Sequence, residues 1–292
     1  VTERGRRELE ARRRAERERA ERLAALHLPE RALAFLGQLP QMQAALAEPD
    51  CPGAAYLRGR GLDPCVAALR GAGYVPPNTW PGERGRKVGR LVFPLADPGS
   101  GRLLSAVGRL CLDADPTWDT GQQDLYRRVK QRKLAGCPAG VWPYESLAAA
   151  RAAGEPLVLV EGPPDVLALV QHDAGRKLHV LALLGTANVL PARALQGLPG
   201  VVLALDSDGP GDAATRTLSE DLVIAGVSVQ VLPSGWLGLS LAKDPADLAA
   251  LAQRDPAARN DYDDAVQRVR AACQALMGDR PERAPKEEKN AL

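Results

Sequence analysis

The chain has 292 residues, of which 45% are hydrophobic, so it can bury a core and is not disordered throughout. Lys+Arg 38 against Asp+Glu 36 leaves a net charge of only +2, so any case for an acidic partner rests on where the charge lies, and most of the excess base precedes residue 135. Five scattered cysteines without a C-x-x-C pair, and three histidines, exclude a structural zinc set; no apolar run reaches bilayer length, and the charged N-terminus does not read as a signal peptide. The expectation is a reduced, cytoplasmic protein with no membrane contact.

Residues 3–26 are nearly all Arg, Glu, Ala and Leu with Glu and Arg at i,i+4 spacing, the pattern of a charged helical arm. A second helix is predicted over 29–46, with Phe35, Leu36 and Leu39 on one face, ended by Pro49-Asp50-Cys51-Pro52-Gly53. Residues 54–150 read as an α+β unit. Leu91-Val92-Phe93-Pro94-Leu95 and residues 103–112 suit strands joined through Asp97-Pro98-Gly99-Ser100-Gly101, a strong turn signal. Arg109 stands among apolar neighbours inside a strand pattern and therefore needs a partner. Tyr126-Arg127-Arg128-Val129-Lys130-Gln131-Arg132-Lys133 is the densest basic run, either a solvated face or a nucleic-acid contact. Trp118 and Trp142 flank it, and core packing and base stacking are both open to them.

From residue 155 the period changes to strand, helix, strand, helix. Strands are predicted over 157–160, 179–184, 201–205 and 228–232, with helices over 165–172, near 191–195, and over 212–225. This is an α/β fold, a parallel sheet in 2-1-3-4 order, in which the first and third strands lie side by side and their carboxyl ends form the ligand crevice. Glu161 follows the first strand and Asp206-Ser207-Asp208 follows the third, so three acids converge. Carboxylates at that density repel unless a hard cation lies between them, which favours Mg²⁺ or Mn²⁺ and metal-dependent phosphoryl transfer. Gly209-Pro210-Gly211 allows a phosphate to approach the backbone, and Asp212 reads as the N-cap of the next helix. A glycine-rich loop over 232–241, Lys243-Asp244-Pro245-Ala246-Asp247 opening a helix, an amphipathic helix over 261–277 and a charged tail complete the chain.

Glu161-Gly162-x-x-Asp165, Leu184-Gly185-Thr186-Ala187, Asp206-x-Asp208-x-x-Gly211-x-x-Ala214 and Lys243-Asp244-Pro245-x-Asp247 together resemble the TOPRIM domain in its bacterial replicative primase form. Upstream, Tyr56-Leu57-x-x-Arg60-Gly61-Leu62, Gly73-Tyr74, Arg90-Leu91-Val92-Phe93-Pro94-Leu95-x-Asp97 and Gly108-Arg109 are similar to the subdomain that precedes TOPRIM in primases. The resemblance covers roughly 54–250 and divides the chain into an arm (1–47), a basic α+β subdomain (48–152), a TOPRIM domain (153–252) and a C-terminal helix and tail (253–292). It implies that Glu161, Asp206 and Asp208 are catalytic and hold metal, with Glu161 also open to a role as general base. Asp244 and Asp247 assist a second ion, and Arg90, Arg109, Arg127, Arg128, Lys130, Lys133 and Lys243 contact nucleic acid or nucleotide. Gly162, Asp165, Gly211 and Asp212 support the site. The implied activity is Mg²⁺-dependent synthesis of short RNA primers from nucleoside triphosphates on single-stranded DNA, with a replicative helicase or a separate zinc-domain protein as partner. A metal-dependent TOPRIM nuclease and a non-catalytic single-stranded-DNA-binding module are the alternatives. A haloacid-dehalogenase-type phosphatase would need the Asp-x-Asp on its first strand, and a topoisomerase would need a better-placed tyrosine than Tyr262 in Asp-Tyr-Asp-Asp. The family's Pro-Lys-Tyr-Leu-Asn-Ser-Pro stretch is only loosely echoed by residues 132–138.

Overall fold

The computed structural model describes residues 14, 27–115, 117–172, 178–184, 190, 192–206, 209–233, 235–237, 242 and 244–278, with backbone alone at 192, 209 and 210. Residues 1–26 of the arm (except Arg14), the tail, Asp208, Lys243 and the Gly185-Thr186-Ala187 motif lie outside these residues. Among the described residues no helix is long and apolar enough to cross a membrane.

Two four-stranded sheets organise the chain. The first is antiparallel and contains β1 (Gly73–Val75), β2 (Arg90–Ala96), β3 (Leu103–Leu110) and β4 (Gln131–Lys133) in that spatial order. Its central hairpin is closed by the predicted turn: Asp97 accepts from the Ser100 N–H and hydroxyl at 2.9 and 2.7 Å, and the Asp97 N–H donates to the Arg102 carbonyl. Side chains alternate across a strand. On β2, Val92 therefore faces Phe35, Met42 and Trp80, a cluster under α1 (Glu30–Leu36) and α2 (Leu39–Ala47), while Leu91, Phe93 and Leu95 face the other way. The single helix predicted over 29–46 is two helices. Pro40 has no N–H to give and is accommodated only in a first turn, so a new helix begins at Leu39 after Gly37-Gln38. Two short helices, α3 (Pro52–Gly59) and α4 (Pro64–Leu69), follow, and α5 (Thr120–Val129) lies between β3 and β4.

The second sheet is parallel: β5 (Leu157–Val160), β6 (His179–Ala182), β7 (Val201–Leu203) and β8 (Val229–Val231), in the order β6-β5-β7-β8. This is the 2-1-3-4 order expected from the sequence. Leu157, Val158, Leu159 and Val160 are all buried, as a strand covered on both faces requires. Val158 and Val160 pack towards α7 (Pro163–Gln171), α9 (Pro245–Ala252) and α10 (Pro256–Met277); Leu157 and Leu159 pack towards α6 (Tyr144–Ala153) and α8 (Gly209–Ile224). α10 begins five residues earlier than its apolar period suggests, because Asp255 caps it by accepting from the Ala257 N–H with Pro256 in the first turn.

The sheets share one core. Leu91, Phe93, Leu95 and Trp142 join Val158, Val160 and Val202 in a continuous cluster, with Phe93 and Trp142 ring to ring at 4.9 Å. Val141 and Trp142 also stitch the sheets through backbone pairs, Val141 with Ala96 and Trp142 with Ala182. Trp142 is 1% exposed, so of the two roles open to it the structure selects packing.

Candidate functional site

β5 and β7 are hydrogen-bonded parallel neighbours, so the residues that follow them leave the sheet at the same end. Glu161 and Asp206 therefore line one open cleft, together with Gly162, Pro163, Pro164, Asp165, Asp244 and Ala246. Its opposite wall comes from the first sheet and its helices: Phe93, Arg109, Lys130, Gln131 and Arg60. Acids stand on one side and three cations on the other.

The acidic wall is fixed by helix caps. The Asp165 Oδ2 accepts from the Gly162 N–H at 2.9 Å and its Oδ1 from the Ala246 N–H at 3.4 Å, so one carboxylate ties the start of α7 to the start of α9. Asp244 caps α9, accepting from the Asp247 N–H at 2.7 Å. Asp165, Asp206 and Asp244 are 5%, 8% and 9% exposed. Burial, with the charges of Asp244 and Asp206 beside it, pushes the Asp165 carboxyl well above the ordinary carboxylate range. Carboxylate oxygens crowded into a dry wall in this way fit a hard divalent cation, whose charge relieves their repulsion. Among the described residues no three His, Cys, Asp or Glu side chains already stand at metal-holding spacing. Asp208, the third acid of the expected set, lies outside these residues.

The basic wall is a network. Arg109 donates through Nε to the Tyr56 hydroxyl at 3.2 Å, and Tyr56 donates to Asp113 at 3.1 Å. Arg60 pairs with Asp113 at 2.7 Å and with Asp247 at 3.3 Å. Burial lowers the Arg109 and Arg60 guanidinium pKa values, but Tyr56, joined for Arg60 by Asp113 and Asp247, outweighs it and raises both. Burial likewise raises the Tyr56 phenol against the opposing charge of Arg109. Arg109 thus finds the partner that its apolar strand demanded, in a phenol that leaves its charge uncancelled.

Arg60 is the residue that sequence reasoning missed. It was legible only as part of Tyr56-Leu57-x-x-Arg60-Gly61-Leu62, where nothing local marks the arginine as functional. Tertiary contacts put it in the cleft. The Gly61 carbonyl accepts from Gln171 Nε2 at 2.6 Å, and Gly61, at φ +73°, lies so close to α9 that a Cβ would stand 2.4 Å from the Ala249 carbonyl oxygen. The turn is clamped between α7 and α9, and Arg60 points into the space between the walls.

Other expected site residues are placed elsewhere. Arg90, expected to contact nucleic acid, is 1% exposed: it donates to Glu83 through Nε at 2.7 Å and Nη2 at 2.5 Å, and to the Gly108 and Val129 carbonyls. A guanidinium engaged on every side inside the protein has no donor left for a ligand, and the expectation is corrected to a structural role. Lys133 lines a separate groove with Arg31, Trp80, Arg132 and Leu134 on the far face of the first sheet. Arg127 and Arg128 are exposed on α5, Arg127 pairing with Asp124 at 2.9 Å. Asp212 lies inside the first turn of α8, which starts at Gly209, so it is not the N-cap; it lines a small hollow with Asp206, Thr215 and Trp236. Asp247 serves as the partner of Arg60.

Residues 158–248 match a family model described as Toprim-like. The chain carries a Toprim-like domain. It is 29% identical to the DNA primase of Deinococcus radiodurans over 76% of this chain and 42% of that protein, so it spans less than half of that relative. Its fold is similar to the zinc-binding and RNA polymerase domains of Aquifex aeolicus primase (TM-score 0.54, 21% identity, 82% of this chain and 60% of that one). It is also similar to the RNA polymerase domain of Mycobacterium tuberculosis primase, solved with a double-stranded DNA oligomer bearing a 6-nucleotide overhang (TM-score 0.51, 21% identity, 87% and 93%). The chain resembles a bacterial primase catalytic core, as its motifs indicate.

Proposed function

We propose that the cleft is the active centre of a primase-like nucleotidyltransferase, which joins nucleoside triphosphates into a short RNA primer on single-stranded DNA. The observation that carries this reading is the shared lining of one cleft: Glu161, Asp206 and Asp244 come from the parallel sheet's side and Arg60, Arg109 and Lys130 from the antiparallel sheet's side. A nuclease with the same metals has less use for the second wall, whereas a triphosphate substrate brings its own dense negative charge and needs both a cation among the acids and side-chain cations opposite.

In this reading Glu161, Asp206 and Asp208 hold Mg²⁺ or Mn²⁺, with Asp244 and Asp247 supporting a second ion. The bound ions supply charge neutralisation for the triphosphate and for the attacking hydroxyl. Arg109 and Lys130 hold template or nucleotide, Arg60 joins them, and Lys243 extends the contact, whereas Lys133, in its separate groove, is left out of it. Asp165 keeps the Glu161 turn and the Asp244 cap in register. The domain limits given by the resemblance, a cytoplasmic location, and a helicase or zinc-domain partner belong to the same proposal.

The test is incubation of the purified chain with single-stranded DNA, labelled nucleoside triphosphates and Mg²⁺ or Mn²⁺, with Asp206→Ala as control. Labelled oligomers that vanish in the variant support the reading; shortened DNA points to the nuclease, and DNA binding with neither product to a passive module.

A further inference from the structure

β3 and β4 are antiparallel neighbours that a turn of about two to five residues would join. Residues 111–130, which include α5, are used instead, so the connection is a built excursion and not a simple turn. The excursion is built, with a defined start. Asp119 caps α5 and accepts from the Gln122 N–H at 2.8 Å, the Gln122 side chain accepts in return from the Asp119 N–H at 3.0 Å, and Gln123 holds the Trp118 carbonyl at 2.9 Å.

Three features of this excursion have no use in the interior. Trp80, Trp142 and Trp236 are buried at 3%, 1% and 3% exposure, whereas Trp118 is half-buried and lies beside the ring of Tyr126, at 5.6 Å and 59°. Five cations and no acid lie between Arg127 and Lys133; Arg127 and Arg128 are exposed and Lys130 lines the cleft, so positive charge runs from the helix surface into the site. Tyr126 donates its hydroxyl to the Leu112 carbonyl at 3.0 Å, within electrostatic reach of Arg109, Tyr56, Asp113 and Arg60, and burial raises its pKa. An aromatic pair beside a row of cations that leads into a cleft is a surface for single-stranded nucleic acid, because stacking takes any base while the cations follow the phosphates. The exposed Leu112 and Leu125 on the same excursion suit a protein partner, but such a partner has no need of the basic row continuing into the cleft.

We infer that the β3–β4 excursion is a clamp for single-stranded DNA: a base stacks on Trp118 beside Tyr126, and Arg127 and Arg128 hold the backbone that Lys130 passes into the cleft. The choice of ligand rests on the nucleotidyltransferase reading, but the clamp is tested by binding and not by synthesis.

The full chain is titrated with an oligothymidylate of about twenty nucleotides. Two signals are read: tryptophan emission and the anisotropy of a labelled oligonucleotide. Because three tryptophans are buried, quenching on binding reports Trp118. Trp118→Phe is expected to abolish the quench with only a few-fold loss of affinity, and Trp118→Ala to weaken binding roughly 5- to 150-fold. Arg127→Ala/Arg128→Ala, which alters only exposed side chains, lowers the slope of log affinity against log salt by about 1.4. Wild-type affinity and salt slope in both alanine variants would overturn the clamp, and this is also the result if the helix serves a protein partner. If the wild-type chain makes no primer yet shows the quench, and Asp206→Asn shows it equally, the synthetic reading fails and the clamp stands. If primers are made and Trp118→Ala binds as wild type, the clamp alone falls.

Discussion

Breaking the buried Arg90–Glu83 pair separates a structural from a ligand-binding role for Arg90, and its cost follows from the contacts. Glu83→Ala leaves Arg90, 1% exposed, with its charge uncompensated, and leaves Arg86 and Arg132, at 3.6 and 3.7 Å from the same carboxylate, facing one another. Removing one partner of a buried pair costs about 3–5 kcal/mol, and for a chain of this size each kcal/mol lowers Tm by about 2–4 °C, so a fall of roughly 6–20 °C is expected. Arg90→Met costs a similar amount by a different route, because the Gly108 and Val129 carbonyls lose their donor at about 1–3 kcal/mol each. The double variant is expected to cost less than the sum, since neither charge is then stranded. Burial pushes the Glu83 carboxyl up, but the hydrogen bonds and charge of Arg90, with Arg132 and Arg86, outweigh it and hold the carboxyl below its usual range. The pair's contribution is therefore present above the unfolded carboxylate value and is lost as pH falls through the lowered folded value, a dependence that Glu83→Gln flattens. Urea unfolding followed by circular dichroism from pH 3 to 7 measures all of this. An Arg90→Met chain within about 0.5 kcal/mol of wild type that has lost oligonucleotide affinity would refute the argument.

Gly61→Ala is expected to destabilise by about 1–3 kcal/mol, because the residue stands at φ +73° with its Cβ direction blocked by the Ala249 carbonyl. Since the displaced turn carries Arg60, the same variant is expected to weaken nucleotide binding, measured by calorimetry at a temperature where it remains folded. Trp142→Ala, which empties the joint between the two sheets, costs about 3–5 kcal/mol by chemical denaturation, with no specific effect on oligonucleotide affinity once the folded fraction is accounted for. Glu161→Gln keeps the shape of the acidic wall and removes one charge; primer synthesis falls about a hundredfold or more while Tm changes little, and a variant that is equally active would displace Glu161 from the site.

Much of the second sheet was legible because its strands are short apolar runs ended by acids, and a parallel sheet leaves little choice about which ends meet. Boundaries failed where capping chemistry decides them. Pro40 split one predicted helix, Asp255 and Pro256 started α10 early, and Asp212 proved to lie within a helix that begins at Gly209. The basic residues were harder to read for a physical reason. Arg90 and Arg109 occupy the same sheet two strand-halves apart and look alike in sequence, yet the pairing of β2 with β3 points one at Glu83 and the other at Tyr56 and the cleft. A carboxylate in an irregular segment, Glu83, decides that Arg90 is structural, and no periodicity announces it. Arg60 was missed for the converse reason: its place depends on Gln171 and Ala249, more than a hundred residues away.

The two sets of charge that line the cleft are held by separate parts of the fold. Acids are carried by turns of the parallel sheet, cations by the antiparallel sheet and its flanking helices, and each set is held by its own backbone: Asp165 by Gly162 and Ala246, Arg109 by its strand and Tyr56, Arg60 by the Gly61 turn. Arg60 touches the acidic side, through Asp247 at 3.3 Å, in a pair that leaves both side chains partly exposed. In the proposed reading, a ligand that brings divalent cations for the acids and phosphate charge for the arginines and lysine suits both sets at once, and a metal–triphosphate is such a ligand.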